Sequence, residues 1–377
     1  MKRHAHAVAQ WLWYGASDHF GRRFLTACLR PLASLYHAAL LKDQRRRLAL
    51  SRKLRCRVIS VGNITVGGTG KTPTVLWLAQ RFREKGFSVA IVSRGYGRVV
   101  SKAAHVTLQG SVQDAAARFG DEPVLLARRL SQVPVWVGTD RFQAAQQALE
   151  RHHADVVLLD DGFQHRQLHR DVDIVVLNAA HPLGNGRLLP AGPLREPAAH
   201  LTRAHALVFI GDVHDAAAYR TLAETFRLQE KPCFQAAPVL DGFFQAHTGV
   251  EMAFQELVDH PCVVVAGIGR PERFFSAVRS RGIPCARTLA FPDHHRWKPS
   301  EVRLLMETMR NTGARWILTT EKDAVRLPAP LAQRAVFVRM DLDFGADAKP
   351  FEDFVMFMGS SSAAGMPHEC SEGPTGL

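Results

Sequence analysis

From residue 58 onward the apolar residues fall into short, regularly spaced runs, and these set the expected fold. Val58–Val61, Val89–Val92, Val133–Val137, Val156–Leu159, Ile174–Leu177 and Ala206–Ile210 each read as a buried strand. Between some of them the period becomes helical. Val75, Leu78, Ala79 and Phe82 share one face, and Glu122–Leu130 and Arg141–Arg151 read as further helices. Strands alternating with helices predict an α/β fold with a doubly wound, mostly parallel sheet.

Lys231–Gly242, with Pro232, Pro238 and Gly242, reads as a connector. A second, smaller α/β lobe is expected beyond it. Cys262–Ala266 enters GIGRPERF (267–274), Trp316–Thr319 enters TTEKD (319–323), and Ala335–Met340 follows. The tail from Gly359 is rich in Ser, Gly and Pro and is expected to be disordered. The expected divisions are therefore 1–57, 58–230, 231–358 and 359–377. No repeat of 20–50 residues is present.

Residues 1–57 have a different pattern. Trp11, Leu12, Trp13 and Tyr14 are followed by Phe24, Leu25, Leu29, Leu32, Leu35, Tyr36, Leu40 and Leu41, with Arg22, Arg23 and Arg30 among them and Lys42, Arg45, Arg46 and Arg47 after them. The uncharged run Pro31–Leu41 is too short to span a bilayer. Aromatic and aliphatic residues beside Arg and Lys suit an amphipathic helix lying in the interface of an anionic leaflet; packing on the protein's own core is the competing reading. Charge sharpens this picture. The arm carries 13 Lys and Arg against two Asp, whereas the whole chain is only +13, so the remainder is close to neutral. A nucleic-acid binder would spread its charge over a folded face, so no nucleic-acid partner is expected.

A composition of 46% apolar and 22% charged residues allows a sizeable core. The six cysteines are scattered without a CxxC pair, which argues for a reducing compartment and against a disulfide framework or structural zinc.

The strongest local signal is GGTGKTP (67–73), after a strand and before a helix. Glycines let a backbone approach a phosphate chain closely, and a helix N-terminus aims N–H groups at it. Thr65, Val66, Gly67, Gly68, Thr69, Gly70, Lys71 and Thr72 are the expected nucleotide-binding set. Lys71 would meet the β- and γ-phosphates, and the Thr72 hydroxyl would bind Mg²⁺. Pro73 fits the first helical turn, where an N–H is not needed. Thr65 stands where the usual pattern has its first glycine. Downstream, Val156–Leu159 runs into Asp160 and Asp161, placed as acids that hold Mg²⁺ at a strand end; which of the two touches the metal stays open. No NKxD guanine signature occurs, so ATP is expected rather than GTP.

Further strings fall at expected loops: RGYGR (94–98), GDEP (120–123), TDR (139–141), DDGFQHR (160–166), NGRLLPAGPLREP (185–197) and FPDHH (291–295). Together with SVGNITVGGTGKTP (60–73) they resemble the tetraacyldisaccharide 4'-kinases, the lipid A 4'-kinases of Gram-negative bacteria, from the basic arm to about residue 345. The resemblance implies transfer of the ATP γ-phosphate to the 4'-hydroxyl of a tetraacylated glucosamine disaccharide 1-phosphate. It also implies P-loop-like lobes with the site in the cleft between them, and a peripheral or monotopic seat on the cytoplasmic side of the inner membrane. No obligate protein partner is implied. By the same resemblance Asp121 is the catalytic base, at the start of a helix whose dipole favours a carboxylate. His294 supports it, although spacing does not separate His294 from His295. Arg94, Tyr96, Arg141, Gln164 and His165 are implied on the substrate side, with Arg195 and Glu196 either there or in a structural ion pair. The rival readings are a soluble P-loop kinase for a small metabolite and a membrane-bound P-loop switch ATPase.

Overall fold

The computed structural model of the chain describes residues 2–15, 20–99, 102–211, 230–269 and 271–358, with isolated positions between 222 and 228. The tail expected from Gly359 lies outside the described residues. Two helices form the arm, α1 (Lys2–Tyr14) and α2 (Phe20–Ala49). The first lobe then alternates β1 (Arg57–Gly62), α3 (Lys71–Glu84), β2 (Val89–Ser93), β3 (Ala104–His105), α4 (Val112–Phe119), α5 (Asp121–Arg129), β4 (Val135–Val137), α6 (Arg141–His152), β5 (Val156–Asp160), β6 (Val172–Asn178) and β7 (Ala206–Ile210). The expected strands all form. They read as continuous apolar runs because helices cover both faces of a parallel sheet.

β1 lies between β5 and β6, parallel to both, and Val61 stands opposite Asp160. The loop after β1 and the acids ending β5 are therefore neighbours at the carboxyl edge of the sheet, where open α/β sheets hold their ligands.

The connector expected at Lys231–Gly242 is instead most of a long strand, β8 (Cys233–Gln245). Its first residues pair parallel with β7, and from Ala237 it pairs antiparallel with β13 (Ala335–Asp343). Pro238 sits just past the point where the partner changes. Leu240 faces Met340 and Gly242 faces Arg339, leaving Asp241 as the extra residue of a bulge. Bulges and partner changes are where strands tolerate Pro and Gly. β8 pairs also with β9 (Glu251–Met252). Beyond β13 the second lobe continues through β12 (Trp316–Thr320), β10 (Cys262–Ala266) and β11 (Cys285–Ala290), so one 13-stranded sheet runs through both lobes.

The described chain runs to residue 358, but its last helix does not stay in the second lobe. Helix Ala348–Phe357 returns to the first lobe, where Phe351 and Val355 join the core around Val75, Trp77 and Phe82. Trp77 meets Phe344 at 4.5 Å and Phe351 at 5.4 Å between ring centroids.

In the arm, one face of α2 is turned inward: Arg22 is buried against the end of α1, donating to the Leu12 and Gly15 carbonyls, Thr26 and Gln44 are buried, and Leu29, Ala33, Tyr36 and Leu40 are half-buried on the same stripe. Tyr36 Oη donates to the Arg195 carbonyl at 2.7 Å, and Gln44 Nε2 donates to Glu196 at 3.0 Å. The opposite face exposes Phe20, Phe24, Leu32 and Leu35. The helix is 30 residues long and contains an 18-residue stretch apolar enough to cross a membrane by length and composition. The run Pro31–Leu41 understates this, because the helix continues through Arg30 to Phe24 and Leu25.

Candidate active site

The phosphate loop joins β1 to α3. Gly67 and Gly70 have φ of +117° and +92°, a region that only glycine enters without strain. At Gly70 a Cβ would also meet Ile210 at 2.9 Å, whereas at Gly67 and Gly68 it would meet no atom within 4 Å. The loop thus faces open space with bare backbone, as a bound triphosphate requires. Thr65 replaces the usual first glycine because its backbone is held in an antiparallel bridge to Leu194. Among the described residues, the non-glycine positions with positive φ are His153, Asp161 and His294, so Thr65 needs no special conformation. Val66 N–H donates to the Pro193 carbonyl, and Asn63 Nδ2 donates to Thr69 Oγ1 at 3.0 Å.

Asp160 and Asp161 differ sharply. Asp160 is almost completely buried; Ser93 Oγ donates to its Oδ2 at 3.2 Å, and Oδ1 has no partner among the described residues. Burial, then the nearby Glu122 and Asp161, pushes its carboxyl up to about 7 against the pull of Lys71. Burial would also raise Asp161, but Lys71, Arg195 and Arg141 outweigh it and hold it at about 2. Lys71 Nζ lies 3.7 Å from Asp161, and Arg195 Nη1 donates to both carboxylate oxygens at 2.9 Å. Among the described residues no cluster of three or more His, Cys, Asp or Glu could hold a metal. Mg²⁺ does not need one: beside a nucleotide it takes one or two carboxylates, phosphate oxygens and waters. An orphaned, buried carboxylate oxygen next to an ionised neighbour fits that role.

Asp121 opens α5 after Gly120, whose φ is +99°. It is buried, and His294 Nδ1 lies 2.7 Å from its Oδ2. His294 reaches it from the second lobe on a left-handed turn residue, φ +57°, with the Tyr96 ring 5.2 Å from its own. His295 points elsewhere: its Nε2 meets Glu301 at 2.9 Å, and its ring packs against Phe291 and Trp297. The two adjacent histidines are thus separated by geometry where spacing could not separate them.

On the proposed substrate side, Arg94 and Tyr96 are exposed on the loop after β2. Arg141 is buried at the start of α6; burial, then Arg94, lowers its guanidinium to about 10 despite Asp161 and Asp160. His165 is also buried, and its Nε2 lacks a partner among the described residues; burial, then Arg141, holds the ring down at about 3, hence neutral. Gln164 Nε2 donates to the Asn63 carbonyl and to Glu196, both at 2.8 Å.

Glu196 falls in a structural cluster, one of the two places expected for it. Its carboxylate is fully buried and receives Gln44, Gln164, Arg203 and His200. Such a carboxylate cannot meet a substrate without abandoning four partners, so it ties the arm to the site's floor. Arg195 belongs to the Asp161 side of the site. Sequence reasoning passed over Ser93, Lys322 and Arg326. The last two stand in or just after TTEKD, whose only signal was a charged segment leaving a buried strand.

A phosphate loop at the edge of a parallel sheet, acids on the neighbouring strand and a carboxylate–imidazole pair spanning two lobes define a P-loop phosphotransferase. A family model for tetraacyldisaccharide-1-P 4'-kinase matches residues 25–357. The tetraacyldisaccharide 4'-kinase of Syntrophobacter fumaroxidans is 41% identical over 345 residues, covering 91% of each chain. That of Geobacter metallireducens is 40% identical, covering 80% of this chain and 88% of its own. A crystal structure of LpxK from Aquifex aeolicus in complex with ATP superposes with a TM-score of 0.70 at 30% identity, covering 89% of this chain and 99% of that one. The chain belongs to the tetraacyldisaccharide 4'-kinase family, which sets aside the switch ATPase and the small-metabolite kinase.

Proposed function

We propose that the protein transfers the γ-phosphate of ATP to the 4'-hydroxyl of a tetraacylated glucosamine disaccharide 1-phosphate, a step of lipid A assembly. The observation that carries the chemistry is the meeting of two groups of residues at one edge of the sheet. Ser93 bonds Asp160 at 3.2 Å, and two residues later Gly95 packs against Phe119 and Gly120, directly ahead of Asp121, so the Asp121–His294 pair lies beside the acids at the end of β5.

In this reading Lys71 and the loop N–H groups would hold the triphosphate, while the Thr72 hydroxyl and Asp160 or Asp161 would hold Mg²⁺, which would supply positive charge against the phosphate oxygens. Asp121 takes the proton of the acceptor hydroxyl on the oxygen that His294 leaves free. His165 and Arg141, polar groups buried with unmet capacity, suit the sugar and its anionic 1-phosphate. Purified protein given labelled ATP and the disaccharide acceptor is expected to move label into the lipid phase. Hydrolysis of ATP without lipid labelling would reject the reading.

We also propose that α2 lies on the cytoplasmic face of the inner membrane rather than crossing it. Its inner stripe is committed to the first lobe, while Phe20, Phe24, Leu32 and Leu35 stand exposed ahead of Lys42, Arg45 and Arg46. Deleting the arm would expose Glu196, so point variants are the cleaner probe. Phe24→Ser, Leu32→Ser and Leu35→Ser combined should release the protein from anionic vesicles. High salt should weaken binding of the unaltered chain, at about 1 kcal/mol per surface cation. Sedimentation equal to that of the unaltered chain would make this face incidental.

A further inference from the structure

The first helix of the arm, α1, lies ahead of residues 25–357, the span shared with the family. Its last turn is held from two sides. From α2, Arg22 donates through Nε to the Leu12 carbonyl at 2.9 Å and through Nη1 to the Gly15 carbonyl. From the first lobe, Asn185 Nδ2 donates to the same Leu12 carbonyl at 3.3 Å and to the Ala191 carbonyl at 2.9 Å. Trp13 Nε1 donates to the Pro190 carbonyl at 3.2 Å. A Cβ on Gly184 would lie 3.1 Å from both the Trp13 carbonyl oxygen and the Tyr14 ring. The end of α1 therefore sits directly on the turn of residues 184–194.

That turn is also the partner of the segment that enters the phosphate loop. Thr65 bridges to Leu194, Val66 N–H donates to the Pro193 carbonyl at 2.9 Å, and Arg195 N–H donates to the Ile64 carbonyl at 2.8 Å. Tyr14 adds a direct link, its Oη donating to the Val66 carbonyl at 3.5 Å. Residues 64–66 are thus held by the turn, and the turn is held by α1. Gly67 and Gly68 come next, and among the described residues no atom lies within 4 Å of a Cβ placed on either. Glycines lose the most backbone freedom when a loop closes on a ligand. Fixing the entry to the loop reduces how much is left to order when phosphates bind.

We propose that the end of α1 positions the phosphate loop for ATP, with Tyr14 and Asn185 as positioning residues that hold Val66 and its supporting turn. The inference rests on residues 67–72 holding the phosphates. Both residues act at the entry to the loop, behind the reacting atoms, so their loss should weaken ATP binding and spare kcat at saturating ATP. The coupling must also run the other way. If the seat of α1 favours ATP, ATP favours the seat of α1 by the same factor. With 13 residues, α1 is too short to keep its helix in water by itself, so its backbone exchange reports whether it is seated.

Two measurements on the full chain test this. In the first, the Kd of a non-hydrolysable ATP analogue with Mg²⁺, and kcat and KM for ATP, are compared among Tyr14→Ala, Tyr14→Phe, Asn185→Ala and Lys71→Ala. Tyr14→Ala and Asn185→Ala should each raise Kd and KM about two- to tenfold, the worth of a lost hydrogen bond, with kcat within about twofold. Tyr14→Phe should show a smaller rise, since its ring still packs on Gly184. A lowered Tm with unchanged Kd in Tyr14→Ala and Asn185→Ala, while Lys71→Ala binds weakly, would overturn the inference and spare the phosphate loop. Unchanged Kd in Lys71→Ala would overturn both. The second measurement needs no variant: amide hydrogen exchange of residues 2–14 in the unaltered chain should slow about two- to tenfold when the analogue binds. Equal exchange with and without the analogue would overturn the inference.

Discussion

Lys71→Ala is expected to lower kcat for lipid phosphorylation by about 10²–10³-fold, the cost of removing one preorganised charge from a phosphoryl-transfer site. Lys71 opens α3 and is mostly buried, so its ammonium is delivered by a rigid element. The substitution has a second effect. Lys71 is the first of the cations that hold Asp161 down, and only Arg195 and Arg141 would then act on that carboxylate. Thr72→Ala should also impair turnover, by removing a hydroxyl expected on the metal. The check is single-turnover transfer at saturating ATP and Mg²⁺. Near-normal rates in both variants would remove the phosphate-loop assignment.

Loss of Asp121 should be as severe, and its pattern more informative. Asp121, Asp160 and Asp161 are all acids near the same phosphates, so single losses of activity do not assign them. Asp160→Ala or Asp161→Ala should change the Mg²⁺ dependence of turnover. Asp121→Ala should lower kcat by about 10²–10⁴-fold with the Mg²⁺ dependence and ATP binding little changed. His294 Nδ1 meets Asp121 at 2.7 Å, so the two are expected to act as one unit. The double variant should be scarcely worse than the more damaged single one. Fully additive losses across a Mg²⁺ titration would reject the pair. Rescue of Asp121→Ala by raised Mg²⁺ would move that residue to the metal.

Where a residue's role follows from its own segment, the sequence was legible. Gly67–Gly70 lie between β1 and α3, Lys71 and Thr72 open α3 as their spacing requires, and Asp160 ends β5 one strand away. Ala206–Ile210 and Cys262–Ala266 form strands with the same ends as their apolar runs. Asp121 opens its helix at the position expected of it. What failed depended on partners far along the chain. β8 was hidden by Pro238 and Gly242, acceptable only because the strand changes partner and bulges against Arg339 and Met340. Glu196 looks like a site residue until Gln44, 152 positions away, is placed on its carboxylate. His294 and His295 are alike in sequence; the left-handed φ at His294 turns one ring toward the first lobe and leaves the other in the second. Arg326 carries little local signal, since beyond its neighbour Asp323 it meets Asp121 and the His295 carbonyl, which lie far along the chain.

The return of helix Ala348–Phe357 to the first lobe has a consequence for how the chain is made. Domains of a nascent chain generally fold in the order they leave the ribosome. Here the earlier-made lobe lacks part of its own interior until Phe344, Phe351 and Val355 have emerged to close over Trp77 and Phe82. Arg57, at the start of the first strand, donates to the carbonyl of Val355 almost three hundred residues later. The phosphate loop, though translated early, thus sits in a lobe that is completed only after Val355 has been made, when the segment bearing His294, Lys322 and Arg326 already exists.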